Sequence, residues 1–508
     1  MNNNEERSDS MKRCFFVSIA QLVLVGSTVG LSAAESETFA GAAAASGTYK
    51  RPQLLVDGKR YELKASDNAD RSVAKRLAEF SKGDTGTYLV KGTRGTVNGV
   101  AGIIIDGITV SSRLAETGPS ARPDPHRYKS YEYTEAGRTL RLIIPADLAV
   151  VRGILVVGPY ARADSRDYYQ QVWYREFMHL HGFAFLGAHW PSSSHAENFK
   201  TMQHALKQLA ADSKHPELVN APYAATGFSA GGGFASRLLV EAPGRVIASV
   251  IVGSRLKLTD IKPTAAHLDT PACIINGENE HGENEQGGMA AVVEPVLAEH
   301  RPNGARWGWM AVPGGGHEFN GQEVLAMPLL DAAVRLRYPA DGDVCKGPLK
   351  LKSIAPQSGW VADNTTWRSG LTDIAAASDF KGAVMKSSWL LNQDLAFIYR
   401  AYSTYDRPLK ITSPHPMSAQ GEVWDAGSSV VISIDDSKFA GWKKLELFDG
   451  AKKVSELTKG PAEFTVHDQQ PGYHAFSILG TDNKGNIRPS NPVLVVVRNL
   501  TATSQPAD

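Results

Sequence analysis

Between Tyr128 and about Pro339, uninterrupted apolar runs alternate with stretches of helical periodicity. The runs cover residues 153–158, 183–188, 223–226, 246–253, 272–276 and 307–312. A strand that is apolar on both sides must be covered on both sides, so the pattern predicts a mostly parallel sheet with helices on both faces. Ahead of it, residues 129–133 and 139–145 flank the turn Glu135-Ala136-Gly137 and read as a hairpin. The helix before the 223–226 run is marked by Met202, Leu206 and Leu209 on one stripe.

Two further segments are β-rich. From about Tyr49 to Ser112 come short strand-like runs with many glycines, while Val73, Leu77 and Phe80 recur at helical spacing. This predicts a small, barrel-like β domain, preceded by a flexible Ala/Ser/Gly lead-in at 36–46 and followed by a proline-rich linker at 117–125. From about Gly421 to Asn499, alternating strands separated by turns such as Asp449-Gly450 fit an immunoglobulin-like β-sandwich. The expected division is residues 35–125 for the β-rich N-terminal domain and linker, 126–345 for the α/β domain and 416–500 for the sandwich. Residues 346–415 contain several Trp without a period and form an unassigned connection, and 501–508 read as a disordered tail.

At the chain start, Lys12 and Arg13 precede an apolar stretch from Phe15 to Leu31 that ends in Ser32-Ala33-Ala34. A basic, an apolar and a small-residue region in that order predict a secretory signal cleaved near Ala34, and a secreted or periplasmic protein. Beyond residue 34 no segment is long and apolar enough to span a bilayer. The mature chain then keeps Cys273, in an apolar run, and Cys345, in a polar loop. Unpaired thiols are expected over a disulfide.

Composition narrows the function. The 508 residues carry 54 Lys and Arg against 53 Asp and Glu, a formal net charge of +1. Nucleic-acid binding needs a concentrated basic surface, and the balanced charge, with no long run of one sign, argues against it. With 42% hydrophobic residues, the chain can bury cores in about three domains of roughly 150 residues each.

The sharpest chemical signal is Gly227-Phe228-Ser229-Ala230-Gly231, directly after the 223–226 run and before the helical stretch 234–239. A serine raised on a tight strand-to-helix turn needs small residues two before and two after it, because that turn brings backbones together. Such a serine also needs a base and an orienting carboxylate. Later in the chain, Asn276 leads into Gly277-Glu278-Asn279-Glu280, and the 307–312 run leads into Pro313-Gly314-Gly315-Gly316-His317. Both segments lie past the carboxyl end of a strand, where open parallel sheets build their sites. His189 also ends a strand but precedes the serine. His179 and His181 read as structural.

The order serine, acid, histidine and the Gly-Phe-Ser-Ala-Gly-Gly stretch resemble the α/β-hydrolase family, and in particular secreted polyhydroxyalkanoate depolymerases and feruloyl or acetylxylan esterases. The resemblance covers about residues 128–340. It implies an α/β-hydrolase fold, with Ser229 as nucleophile, His317 as base and Glu280 as acid, and Glu278, Glu283 and Glu285 as rivals for the acid. The family more often has Asp there. It also implies an oxyanion hole built from the N–H of Ala230 and a second N–H from the loop Gly158-Pro159-Tyr160-Ala161. Pro159 has no N–H, which leaves Tyr160. Trp190, past the 183–188 run, is a candidate substrate platform or a core residue.

The doubled Gly-Glu-Asn-Glu at 277–280 and 282–285 is rich in oxygen ligands but lacks the spacing of a calcium loop. His317-Glu318 would need a second His at 321, where Gly stands, to be a zinc helix. The expectation is therefore a secreted serine hydrolase that cleaves carboxylic esters, polymeric ones included, without cofactor or metal. A serine peptidase of the same fold and a catalytically silent glycan-binding protein are the rivals.

Overall fold

The computed structural model describes residues 37–43, 53–56, 59–66, 87–97 and 100–110 of a first unit. In a second unit it describes 127–498, apart from 161–162, 192–193, 257–261, 281–288, 318–320, 369, 415–421, 436–440 and 459–462. The units divide at residues 124 and 125. The proposed signal segment, the helical spacing around Leu77, the 117–125 linker and the 501–508 tail lie outside the described residues.

The first unit is a closed five-stranded barrel of β1 (Glu37–Ala43), β2 (Gln53–Val56), β3 (Lys59–Ala65), β4 (Thr87–Val97) and β5 (Val100–Val110). Its strand order is β1-β2-β3-β5-β4, and β1 closes on β4. The β3–β5 pair is parallel and the others are antiparallel. Part of the expected flexible lead-in is thus a strand. Residues 37–42 pair with β4, so ladder hydrogen bonds define a strand in a stretch where Phe39 is the one large apolar residue and the hydrophobic signal is weak.

The second unit is built on an eight-stranded sheet. Its strands are β6 (Tyr128–Glu135), β7 (Arg138–Pro145), β8 (Gly153–Gly158), β9 (Phe183–His189), β10 (Tyr223–Phe228), β11 (Val246–Val252), β12 (Ala272–Gly277) and β13 (Trp307–Val312). The order across the sheet is β13-β12-β11-β10-β8-β9-β7-β6. The six strands from β8 to β13 are parallel, and the β6–β7 hairpin joins antiparallel to β9. The two faces bury alternate residues. Leu155, Val157, Cys273 and Ile275 pack under α1 (Val172–His181) and a later helix, residues 323–337. Ile154, Val156, Ile274 and Trp307 pack under α2 (His195–Ser213), α3 (Ala230–Glu241) and a helix at 290–300. The remaining helices are the short α4 (Ala265–Asp269), then α5 (Ala290–His300), α6 (Glu323–Arg337) and α7 (Gln393–Ser403). This is the doubly covered, mostly parallel sheet that the apolar runs predict.

The unassigned connection has a structural job. β14 (Trp360–Asp363), β15 (Ile374–Ala376) and β16 (Ser387–Leu390) form a small antiparallel sheet in the order β15-β14-β16. It seals the outer edge of β13 through side chains. Ser388 Oγ accepts from the Trp309 N–H at 2.8 Å and donates to its carbonyl at 2.7 Å, and the Tyr399 hydroxyl donates to the same carbonyl at 2.6 Å. An exposed edge strand invites pairing with another chain, and this cover removes it.

The C-terminal segment is a two-sheet sandwich. One sheet holds β17 (Ile411–Ser413), β19 (Val430–Ile434) and β22 (Glu463–Val466). The other holds β18 (Glu422–Asp425), β20 (Trp442–Asp449), β21 (Lys452–Leu457), β23 (Gly472–Asp482), β24 (Ile487–Pro489) and β25 (Val493–Arg498). The sheets share a core of Ile432, Leu447, Phe464, Phe476 and Val495. Because β17 pairs with β19, the sandwich begins ahead of residue 416. It is not a separate bead. Ala475 and Val496 are part of the core beneath α1 and α6, and the Tyr473 hydroxyl donates to the Trp173 carbonyl.

Cys273 is buried and Cys345 exposed, and neither forms a disulfide. Burial pushes the Cys273 thiol up to about 12, which keeps it protonated and inert. No described helix is long and apolar enough to cross a membrane.

Candidate active site

The carboxyl ends of β10, β12 and β13 converge on one point. Ser229 sits between β10 and α3 with φ 56° and ψ −116°, a conformation that costs energy for any residue with a Cβ. Two backbone hydrogen bonds hold it there. Its N–H donates to the Val252 carbonyl at 2.8 Å, and its carbonyl accepts the first bond of α3, from Gly233, at 2.9 Å.

The glycines around it are required by contact. A Cβ on Gly231 would lie 2.1 Å from the Gly158 carbonyl oxygen, and one on Gly227 would lie 2.5 Å from the Gly231 carbonyl carbon. The elbow and the loop after β8 are therefore packed backbone on backbone. Gly231→Ala is expected to lower the melting temperature, at a cost of about 1–3 kcal/mol from overpacking, and to reduce turnover by displacing the serine. Thermal unfolding followed by circular dichroism, with a parallel ester assay, checks both.

His317 arrives on the loop after β13. Its Nε2 is 2.9 Å from Ser229 Oγ, and its Nδ1 is 2.8 Å from Glu280 Oε1. With the proton on Nδ1 facing the carboxylate, Nε2 is the acceptor for the serine hydroxyl. Phe228 lies against the imidazole at 4.8 Å between ring centroids and limits its rotation. The acid loop and the histidine loop touch directly. A Cβ on Gly277 would lie 2.3 Å from the Gly316 carbonyl oxygen.

Glu280 is 5% exposed and fully engaged. Its Oε2 accepts from the Gly277 N–H at 3.2 Å and from Asn276 Nδ2 at 3.3 Å, which leaves Oε1 for His317. Glu278 faces elsewhere. Its Oε2 accepts from the Gly314 N–H at 2.9 Å and its Oε1 from Arg368 Nε at 3.2 Å. It braces the histidine loop, and Arg368 is a contribution from the connecting segment that the sequence does not announce. Glu283 and Glu285, with His281, lie outside the described residues. Among the described residues no group of three His, Cys, Asp or Glu could hold a metal ion.

Ala230 is the first residue of α3, so its N–H falls outside the helical hydrogen-bond ladder, beside the serine at a positive helix end. Tyr160 lies past β8, with its ring 6.4 Å from Phe228. Trp190 does not form a platform. It is 6% exposed and packs against Phe234 of α3 at 5.4 Å, because the chain turns it into the core on the α2–α3 face. His179 bonds the Tyr128 hydroxyl and His181 bonds Asp331, both structural uses. His189 ends β9, in register with Thr139.

No protein-family model matches the chain, and no curated protein matches it. Solved structures do. S-formylglutathione hydrolase FrmB from Staphylococcus aureus is 13% identical over 43% of this chain and 100% of its own, with a TM-score of 0.31. An esterase from Pyrobaculum calidifontis is 15% identical over 44% of this chain and 89% of its own, with a TM-score of 0.31. Fibronectin(III)-like modules of Clostridium thermocellum CbhA match 18% of this chain at 22% identity, with a TM-score of 0.17. The match spans 46% of that chain.

Proposed function

We propose that this protein is a serine hydrolase that cleaves carboxylic esters, with Ser229, His317 and Glu280 as its triad. The observation that carries this reading is the unbroken relay from Ser229 Oγ through both ring nitrogens of His317 to a buried carboxylate. Ser229 Oγ attacks the ester carbonyl while His317 Nε2 takes its proton, and Glu280 stabilises the imidazolium. The N–H groups of Ala230 and Tyr160 hold the oxyanion. Collapse of the tetrahedral intermediate breaks the bond to the alcohol, which leaves with the proton from His317. Water, deprotonated in turn by His317, then releases the acid and restores the serine.

The reading includes export through the segment ending near Ala34 and an immunoglobulin-like sandwich. The substrate is placed outside the cytoplasm, among acyl groups on plant polysaccharide or polyester. A fluorophosphonate probe is expected to label the protein stoichiometrically, and EDTA to leave ester turnover unchanged. Absence of labelling in a folded sample would end the serine-hydrolase reading.

A further inference from the structure

Behind the triad acid lies a buried polar side chain, Asn276, on the sheet face that Ile274, Trp307, Trp309 and Ala311 otherwise keep apolar. It stands one residue before the end of β12 and is 1% exposed. A buried amide needs partners for both its oxygen and its NH2 to replace the water it has lost. Asn276 has three. Its Nδ2 donates to the Ser254 carbonyl at 3.1 Å and to Glu280 Oε2 at 3.3 Å, and its Oδ1 accepts from Trp309 Nε1 at 3.2 Å.

These partners admit one orientation of the amide. A carbonyl and a carboxylate can only accept, and an indole N–H can only donate. Turned over, the amide would set its NH2 against the indole N–H and its oxygen against two acceptors, one of them charged. Trp309 therefore fixes which end of Asn276 meets Glu280. Strand register brings the two together. Asn276 lies opposite Ala311 of β13, two residues past Trp309, so both side chains project from one face of the sheet. Trp309 is buried and held in turn, because Ser388 and Tyr399 of the connecting segment bond its main chain.

We propose that Asn276 and Trp309 are positioning residues of the triad, acting on His317 through Glu280. The proposal deepens the serine-hydrolase reading and rests on it. A glutamate has one more torsion to fix than an aspartate, and it aims one oxygen at a histidine only when the other is tied. Asn276 Nδ2 and the Gly277 N–H tie Oε2, which leaves Oε1 on His317 Nδ1. The line of bonds from Trp309 through Asn276 and Glu280 to His317 thus carries the order of β13 and the connecting segment to the base.

The test compares kcat and KM of the full chain with p-nitrophenyl acetate. Asn276→Leu keeps the branched shape of the side chain and removes its polar atoms. It should lower kcat by about 10–100-fold while KM stays within about threefold, since the base is misaimed and the binding surface is untouched. The deciding variant is the double one. In Glu280→Gln, Asn276 Nδ2 and the Gly277 N–H hold the new amide oxygen at the Oε2 place and turn its NH2 toward His317. Removing one of those donors lets the amide turn its oxygen to His317, so Glu280→Gln with Asn276→Leu should be at least about threefold faster than Glu280→Gln alone. A residue that only supports the fold would make the double variant slower still. If circular dichroism shows that Asn276→Leu does not fold, Trp309→Phe takes its place in both backgrounds. It removes the indole N–H and frees the Asn276 amide to turn, with changes in the same directions. Native ester turnover with the single variant within about threefold of it, or a double variant whose losses multiply, overturns the proposal and leaves the hydrolase standing. A native protein that turns over no ester overturns both.

Discussion

Ser229→Ala is expected to abolish fluorophosphonate labelling and to lower ester kcat by roughly 10⁴–10⁶-fold, with the protein still folded. The magnitude follows from what the proposed mechanism would lose, since without its nucleophile only the proposed oxyanion donors and substrate binding would act on a water molecule. Folding is spared because the backbone bonds that hold the elbow, from Ser229 N–H to Val252 and from Gly233 to the Ser229 carbonyl, do not involve the hydroxyl. Alanine carries the same Cβ as serine and meets the same positive-φ strain, so that cost does not change. Intact-mass analysis of probe-treated protein, p-nitrophenyl acetate turnover and thermal melting make the comparison. Labelling that persists in the alanine variant would move the nucleophile elsewhere.

The parallel sheet was legible because burial on both faces leaves uninterrupted apolar runs, and the six strands β8 to β13 start within a residue of the expected ones. The elbow was legible for a different reason. Its glycines answer a contact between backbones, so their spacing around Ser229 is a steric requirement that any sequence must meet. What stayed hidden depends on partners far along the chain. Ser388 and Tyr399 make sense only beside Trp309, 79 and 90 residues away, so the connecting segment shows no period of its own. Trp190 and an exposed aromatic at the same position would read alike, because a strand end does not say to which face the chain turns next. The sandwich reads as a module because its strands alternate, yet Tyr473, Ala475 and Val496 face α1 and α6.

Glu280→Gln is expected to lower turnover by roughly 10²–10⁴-fold with little change in KM, and the surroundings of the carboxylate say how. Two donors, the Gly277 N–H and Asn276 Nδ2, point at Oε2 and demand an acceptor there. In the variant the side-chain amide oxygen must fill that place, which turns the amide NH2 toward His317 Nδ1. A donor facing Nδ1 forces the histidine proton onto Nε2, directly opposite the Ser229 hydroxyl, and the base is lost in the resting enzyme. Flipping the amide restores the tautomer but sets an NH2 against two buried donors, a penalty of about 1–3 kcal/mol. Glu278→Gln keeps an oxygen for the Gly314 N–H and loses only a partly exposed pairing with Arg368, so its turnover should fall by less than about tenfold. Steady-state kinetics of both variants, with circular dichroism to confirm folding, decide between them. Near-normal turnover in Glu280→Gln beside collapse in Glu278→Gln would transfer the acid role to Glu278 and leave Ser229 and His317 in place.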